Sequence, residues 1–136
     1  MGKSYSTGVS CDLNVLSDNR IIHSEPQGNW EADDVRKNLE DIKKLVDKNF
    51  GGKKWAFMAE LTGMAPITDA ETSEEFAKMH IEFEKENCVA IAFVVGDKIS
   101  IKAQSQRHQD SSGSGLVVKH FRTKEEGQEW LATFDI

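Results

Sequence analysis

The chain has 136 residues, the size of one domain, and a formal net charge of −6 from 17 basic and 23 acidic residues. That balance disfavours nucleic acid or an anionic membrane surface as partner, since both require a basic footprint. The 38% hydrophobic and 29% charged content is that of a globular protein able to fold without disulfides or metal, and no apolar run reaches the roughly 18 residues of a transmembrane helix.

Residues 1–8 are small and polar and are expected to be poorly ordered, leaving 9–136 as a single domain. The opening MGKSYS has the spacing of a myristoylation motif, but the motif is short and Lys3 adds nothing specific, so a frayed polar start is the expected reading. In SCDLNVL, Cys11, Leu13 and Val15 alternate onto one face of a strand. Ser17-Asp18-Asn19 is a turn signal, and RIIHSE is a second strand stopped by Pro26 and Gly28. Strands joined this tightly are antiparallel, and the first is expected at the sheet edge. Cys11 and Cys88 both lie in apolar segments and no signal peptide is evident. Both are expected to be reduced and buried, in a cytoplasmic protein.

NWEADDVRKNLEDIKKLVDKNFGG follows with Val35, Leu39, Ile42 and Val46 at helical spacing and Leu45 widening the stripe. Asp33 and Asp34 early, Lys43, Lys44 and Lys48 late, suit the helix dipole, and Gly51-Gly52 ends the helix. KKWAFMAEL, residues 88–95 (CVAIAFVV) and residues 115–121 (GLVVKHF) are continuous apolar runs, the pattern of parallel strands buried on both faces. Between the first two, ITDAETSEEFAKMHIEFEKEN places Phe76, Met79, His80 and Phe83 on one helical stripe. Thr68 with Glu71, and Thr72 with Glu75, have capping-box spacing, so Thr68 is the expected N-cap. In DKISIKAQSQRHQDSSGSG, Ile99, Ile101 and Ala103 alternate like a strand. Two buried parallel strands nevertheless need a crossover of about a dozen residues, so 98–109 is expected as an irregular helix and 110–115 as a loop. The last helix is TKEEGQEWLATF, with Thr123 and Glu126 as a capping box and Gly127, Trp130, Leu131 and Phe134 on its core face. The order β-β-α-β-α-β-α-β-α predicts an α/β domain: one mixed, mostly parallel sheet with helices on both faces.

Chemistry-bearing patterns are sparse. His23, His80, His108 and His120 show no recognised metal-ligand spacing, and His80 on an apolar stripe reads as a packed core or rim residue. There is no GxSxG, and neither cysteine carries a local catalytic signature. SSGSGLVV runs from loop into strand, the reverse of a phosphate cradle. The acidic run IEFEKE, 81–86, reads as a solvated helix face. Trp55 and Trp130 read as core, and Trp30 as the tryptophan exposed near the strand ends. No catalytic residues, cofactor or metal follow from these patterns.

The stretch LTGMAPITDAE, with the Glu60 that precedes it, resembles the signature of STAS domains, the SpoIIAA-like fold of anti-sigma factor antagonists. Glu60, Leu61, Thr62, Gly63 and Met64 take the first positions of that pattern, and Ile67 the apolar one. Thr68 falls on the family's Asp, and Asp69 on its phosphorylated Ser. The ending VVKHFRTKEEGQEWL is similar to that of small bacterial STAS/Sec14-related proteins of unknown function. The resemblance spans residues from about 10 to 135. It implies a non-enzymatic regulatory or protein-interaction module whose contact surface comprises Thr62, Gly63, Met64, Thr68, Asp69 and Thr72. With Asp69 in the place of the Ser, among Glu60, Glu71, Glu74 and Glu75, that surface is expected to be constitutive rather than switched by phosphate. The alternative is a carrier or sensor of a small apolar or lipid-like ligand, in a pocket lined by Trp30, Met64, Met79 and Phe83. An unknown protein partner or small apolar ligand is thus implied, with the chain a monomer or weak homodimer.

Overall fold

The computed structural model describes residues 2–16, 20–67, 69–96, 106 and 115–134. Its elements are β1 (Gly2–Ser6), β2 (Val9–Leu16), β3 (Ile21–Gln27), α1 (Ala32–Phe50), β4 (Trp55–Glu60), α2 (Ala70–Lys85), β5 (Cys88–Val94), β6 (Val117–Phe121) and α3 (Lys124–Leu131). The six strands lie side by side in chain order. β1, β2 and β3 are antiparallel neighbours, and β3 to β6 are parallel.

Side-chain alternation along each strand builds two cores. On one face Val9, Cys11, Leu13, Ile22, Phe57, Ile91 and Phe93 meet Val35, Ile42 and Val46 of α1 and Met79 and Phe83 of α2. On the other, Ile21, Ala56, Met58, Ala90, Ala92 and Val94 lie beneath Leu131 of α3. Alanines in that floor let α3 approach closely. A Cβ added to Gly127 would stand 3.2 Å from the Met58 sulfur, so the helix has glycine where it crosses the sheet. The runs of β4 and β5 are therefore buried on both faces, as their pattern implies. The run of β6 is not: that strand is last among the described strands of the sheet, with β5 as its neighbour, and Val117 is 48% exposed.

The helix ends follow local chemistry. The Glu31 amide donates to the Asp34 carboxylate at 2.9 Å, and Gly51 closes α1 in the left-handed conformation at φ 53°. Thr123 caps α3, its hydroxyl accepting from the Glu126 amide at 3.3 Å. The N-cap of α2 is Asp69, where Thr68 was the expected one. Both are competent caps, but Asp adds a negative charge at the positive end of the helix dipole. No described helix is long and apolar enough to cross a membrane.

The chain start departs from expectation. Residues 2–6 are not a poorly ordered tail but the edge strand, so SCDLNVL, within β2, is second in the sheet. Lys3 pairs with Cys11 and Ser4 with Ser10. One side chain anchors the strand: the Tyr5 hydroxyl donates to Asp41 at 2.8 Å and accepts from the Asn38 amide at 3.1 Å, and its ring meets Trp30 edge-on at 5.5 Å. The segments expected as an irregular helix (98–109) and a loop (110–115) lie outside the described residues, apart from Gln106 and Gly115.

Candidate functional site

On the α1/α2 face the sheet floor carries two small residues side by side: Ser24 on β3 is in register with Ala59 on β4. Large side chains ring them, including Trp30 before α1, Phe57 on β4, Phe93 on β5 and Met79 and Phe83 on α2. A small floor inside large walls leaves space. The result is a pocket with about 60 Å³ open to the centres of water-sized molecules. It has room for several waters or one small apolar group.

The loop after β4 forms the pocket wall, supplying Leu61, Met64, Ala65 and Ile67. It is tied to the sheet by backbone bonds. The Gly28 amide donates to the Gly63 carbonyl at 3.1 Å, the Ala65 amide to the Gly28 carbonyl at 2.9 Å, and the Leu61 amide to the Val94 carbonyl at 2.8 Å. Gly28 sits at φ +98°, and a Cβ there would overlap the Gly8 carbonyl, so this junction requires glycine.

Polar groups are few. Ser24 lies 3.2 Å from the buried Cys11 sulfur, Asn38 reaches Tyr5, and buried His80 stacks obliquely 6.0 Å from Phe93. Burial pushes the thiols of Cys11 and Cys88 up, away from thiolate reactivity. At the outer rim, hydrogen bonds from the Thr72 hydroxyl and amide hold the Asp69 carboxyl below the usual range. Arg36 of α1 bridges to Glu71 at 3.1 Å and Glu75 at 3.4 Å on α2, joining the two helices beside the pocket.

Trp30, Met64, Met79 and Phe83 all line this pocket. Trp30 is 2% exposed, not the open aromatic expected, because its indole N–H donates to the Gln27 carbonyl at 3.0 Å and Tyr5 covers its edge. The expected contact surface divides. Thr62, Gly63 and Asp69 are exposed, whereas Met64 and Thr72 point inward, and Thr68 lies outside the described residues. Ile67, the apolar position of the loop pattern, also lines the pocket, as do Ser24 and Asn38, which were not singled out from the sequence. Their roles depend on strand register and loop path, which single residues do not signal. The histidines show no recognised metal-ligand spacing along the sequence, yet on the opposite face of the sheet the fold brings His23, Glu25 and Glu60 together in a group whose geometry could hold a metal ion.

No protein-family profile matches the chain, and no curated protein matches it significantly in sequence. In structure it superposes on an uncharacterized protein of the DUF3478 family from Shewanella loihica PV-4, whose crystal structure is described as having a SpoIIAA-like fold. The TM-score is 0.67 over 91% of this chain and 94% of that one, at 13% sequence identity. The chain has a SpoIIAA-like fold. At that identity the likeness is one of architecture, and the chemistry rests on the residues present. Within the SpoIIAA-like fold, the pocket lies toward the carboxyl ends of parallel strands β3, β4 and β5, where open α/β sheets bind ligands.

Proposed function

We propose that the protein is a non-enzymatic carrier or sensor of a small apolar ligand. The observation that carries this is the apolar pocket floored by Ser24 and Ala59 and walled by Trp30, Met64, Met79 and Phe83. At about 60 Å³ the pocket is smaller than the roughly 150 Å³ cavity that encloses a whole benzene. It therefore favours a short branched chain or the edge of a single ring, with the rest of the ligand at the pocket mouth, over a whole acyl chain. The few polar groups in its lining, Ser24, Asn38 and His80, would orient one hydrogen-bonding end of the ligand.

A second, regulatory reading is compatible with the first. The 61–67 loop supplies both pocket wall and exposed rim, so occupancy could alter the surface formed by Thr62, Gly63 and Asp69 and thereby a cytoplasmic protein partner's affinity. In this reading Asp69 provides a constitutive charge at the helix start and no phosphate is required.

The test is an NMR titration of the protein with benzene and with indole, following the Trp30 indole N–H and the Met64 and Met79 methyls. Saturable shifts confined to these groups, lost in a cavity-filling Ala59→Leu variant, are the expected result. Unchanged spectra with both probes would remove the ligand reading.

A further inference from the structure

β3 and β4 send alternate residues to opposite faces, so the strand segments that floor the pocket also present a second set of side chains behind it. Ser24 and Ala59 face the pocket, while His23, Glu25 and Glu60 face the other way. His23 is 2% exposed. Its Nε2 lies 2.7 Å from Glu60 Oε2, and its Nδ1 lies 3.7 Å from Glu25 Oε1. One donor atom from each of the three residues falls within 4.8 Å of the other two. The apolar-ligand reading uses none of these groups.

Register explains the convergence. Ser24 is paired with Ala59, and one step further along both strands Glu25 comes beside Glu60. Like charges on adjacent strands are destabilising unless something neutralises them. Asp12 on β2 stands opposite Glu25 and adds a third carboxylate on a third neighbouring strand. Several other acidic side chains are matched by basic ones, Asp33, Glu71 and Glu75 by Arg36, and Glu82 by Lys43 and Lys85. Among the described residues neither Glu25 nor Glu60 has an ion pair with Lys or Arg; both face the His23 imidazole.

We propose that His23, Glu25 and Glu60 form a binding site for a divalent transition cation, Zn²⁺ or Mn²⁺, with water completing its coordination. One imidazole and two carboxylates are the donor types that Zn²⁺ and Mn²⁺ share. Donors each about 2.0–2.2 Å from an ion lie roughly 3.4 Å apart at the tetrahedral angle, so the triangle, whose donor atoms now fall within 4.8 Å of one another, must contract around the ion. The side chain of Glu25, 38% exposed, is free to rotate inward, whereas His23 is fixed by burial. The buried thiols of Cys11 and Cys88 offer no accessible competing ligands. A bound cation would join the ends of β3 and β4 directly behind the pocket floor.

The experiment is calorimetric titration of the full chain with ZnCl₂ and, separately, MnCl₂, repeated on Glu25→Gln and Glu60→Gln. ¹⁵N imidazole spectra would follow the His23 ring nitrogens. Both substitutions are isosteric and on partly exposed side chains, so folding is checked by circular dichroism rather than assumed. The expected result is 1:1 binding of at least one ion, a displaced His23 nitrogen resonance, and at least tenfold weaker affinity in each folded variant. Absence of binding by either ion at millimolar concentration would overturn the proposal. So would 1:1 binding that both variants retain with unchanged affinity, which would locate the ion elsewhere.

Discussion

Asp69 and Thr72 close the start of α2 on each other: the Thr72 amide donates to the Asp69 carboxylate at 2.9 Å, and the Thr72 hydroxyl donates to it at 2.7 Å. These bonds favour the ionised carboxylate and lower its pKa from the ordinary 3.8. A depressed folded-state pKa contributes stability above the ordinary value, and that contribution is lost as pH falls through the folded one. Asp69→Asn keeps an acceptor at the cap but not the charge. It is expected to be less stable than the parent at pH 7, with the difference closing below pH 3.8. Denaturant unfolding at pH 7 and pH 3 checks this, and a difference independent of pH would contradict it. Thr72→Val, at a fully buried position, should cost about 1 kcal/mol through the lost hydroxyl bond.

Leu131 and Trp130 are neighbours on α3 with different burdens. Leu131 is fully buried against the alanine-rich floor of the sheet, whereas Trp130 is half-buried between Phe121 at 5.6 Å and Phe134 at 5.0 Å. Leu131→Ala is expected to cost about 2–5 kcal/mol, since the helix cannot collapse onto the vacated space. Trp130→Ala should cost less, about 2 kcal/mol, because part of its surface is already in water. Urea midpoints at constant slope measure both, and the reverse ranking would show that the aromatic cluster, not the buried leucine, anchors α3.

Tyr5 marks where the sequence ceased to be legible. GKSYS has no alternating apolar pattern and a single aromatic side chain, so its strand is specified by partners far away in sequence, Trp30, Asn38 and Asp41. The helical stripes were legible because period 3.6 is local, and those stripes supplied Met79 and Phe83 to the pocket. Ser24 and Ala59 were not, because their effect comes from standing side by side across two strands. His23-x-Glu25 could have been read as two donors on one strand face, but Glu60 joins them only through register. Tyr5→Phe is expected to cost about 1 kcal/mol through the lost hydroxyl bonds. Tyr5→Ala should cost more and increase the solvent exposure of Trp30, seen as a red shift in its fluorescence. An unshifted spectrum would mean β1 does not cover that indole.

Gly28 holds three segments at one point: the β1–β2 turn through its close approach to Gly8, the end of β3 by continuity, and the pocket loop through its bonds with Gly63 and Ala65. An alanine there meets two penalties at once. Its φ of +98° is unfavourable for any residue with a Cβ, and that Cβ would overlap the Gly8 carbonyl. Gly28→Ala is expected to lower stability by about 1–3 kcal/mol. The backbone must shift to relieve the overlap, and the Ala65 amide, bonded to the Gly28 carbonyl, must shift with it. Hydrogen exchange at Ala65 should therefore accelerate more than at Ile91, deep in β5, and benzene should bind more weakly because Met64 and Ala65 no longer hold the pocket wall. By contrast, Gly51→Ala, at φ +53° with open space where its Cβ would lie, should destabilise the end of α1 without altering benzene affinity. Equal effects of the two substitutions on benzene binding would show that the loop wall is not held through Gly28.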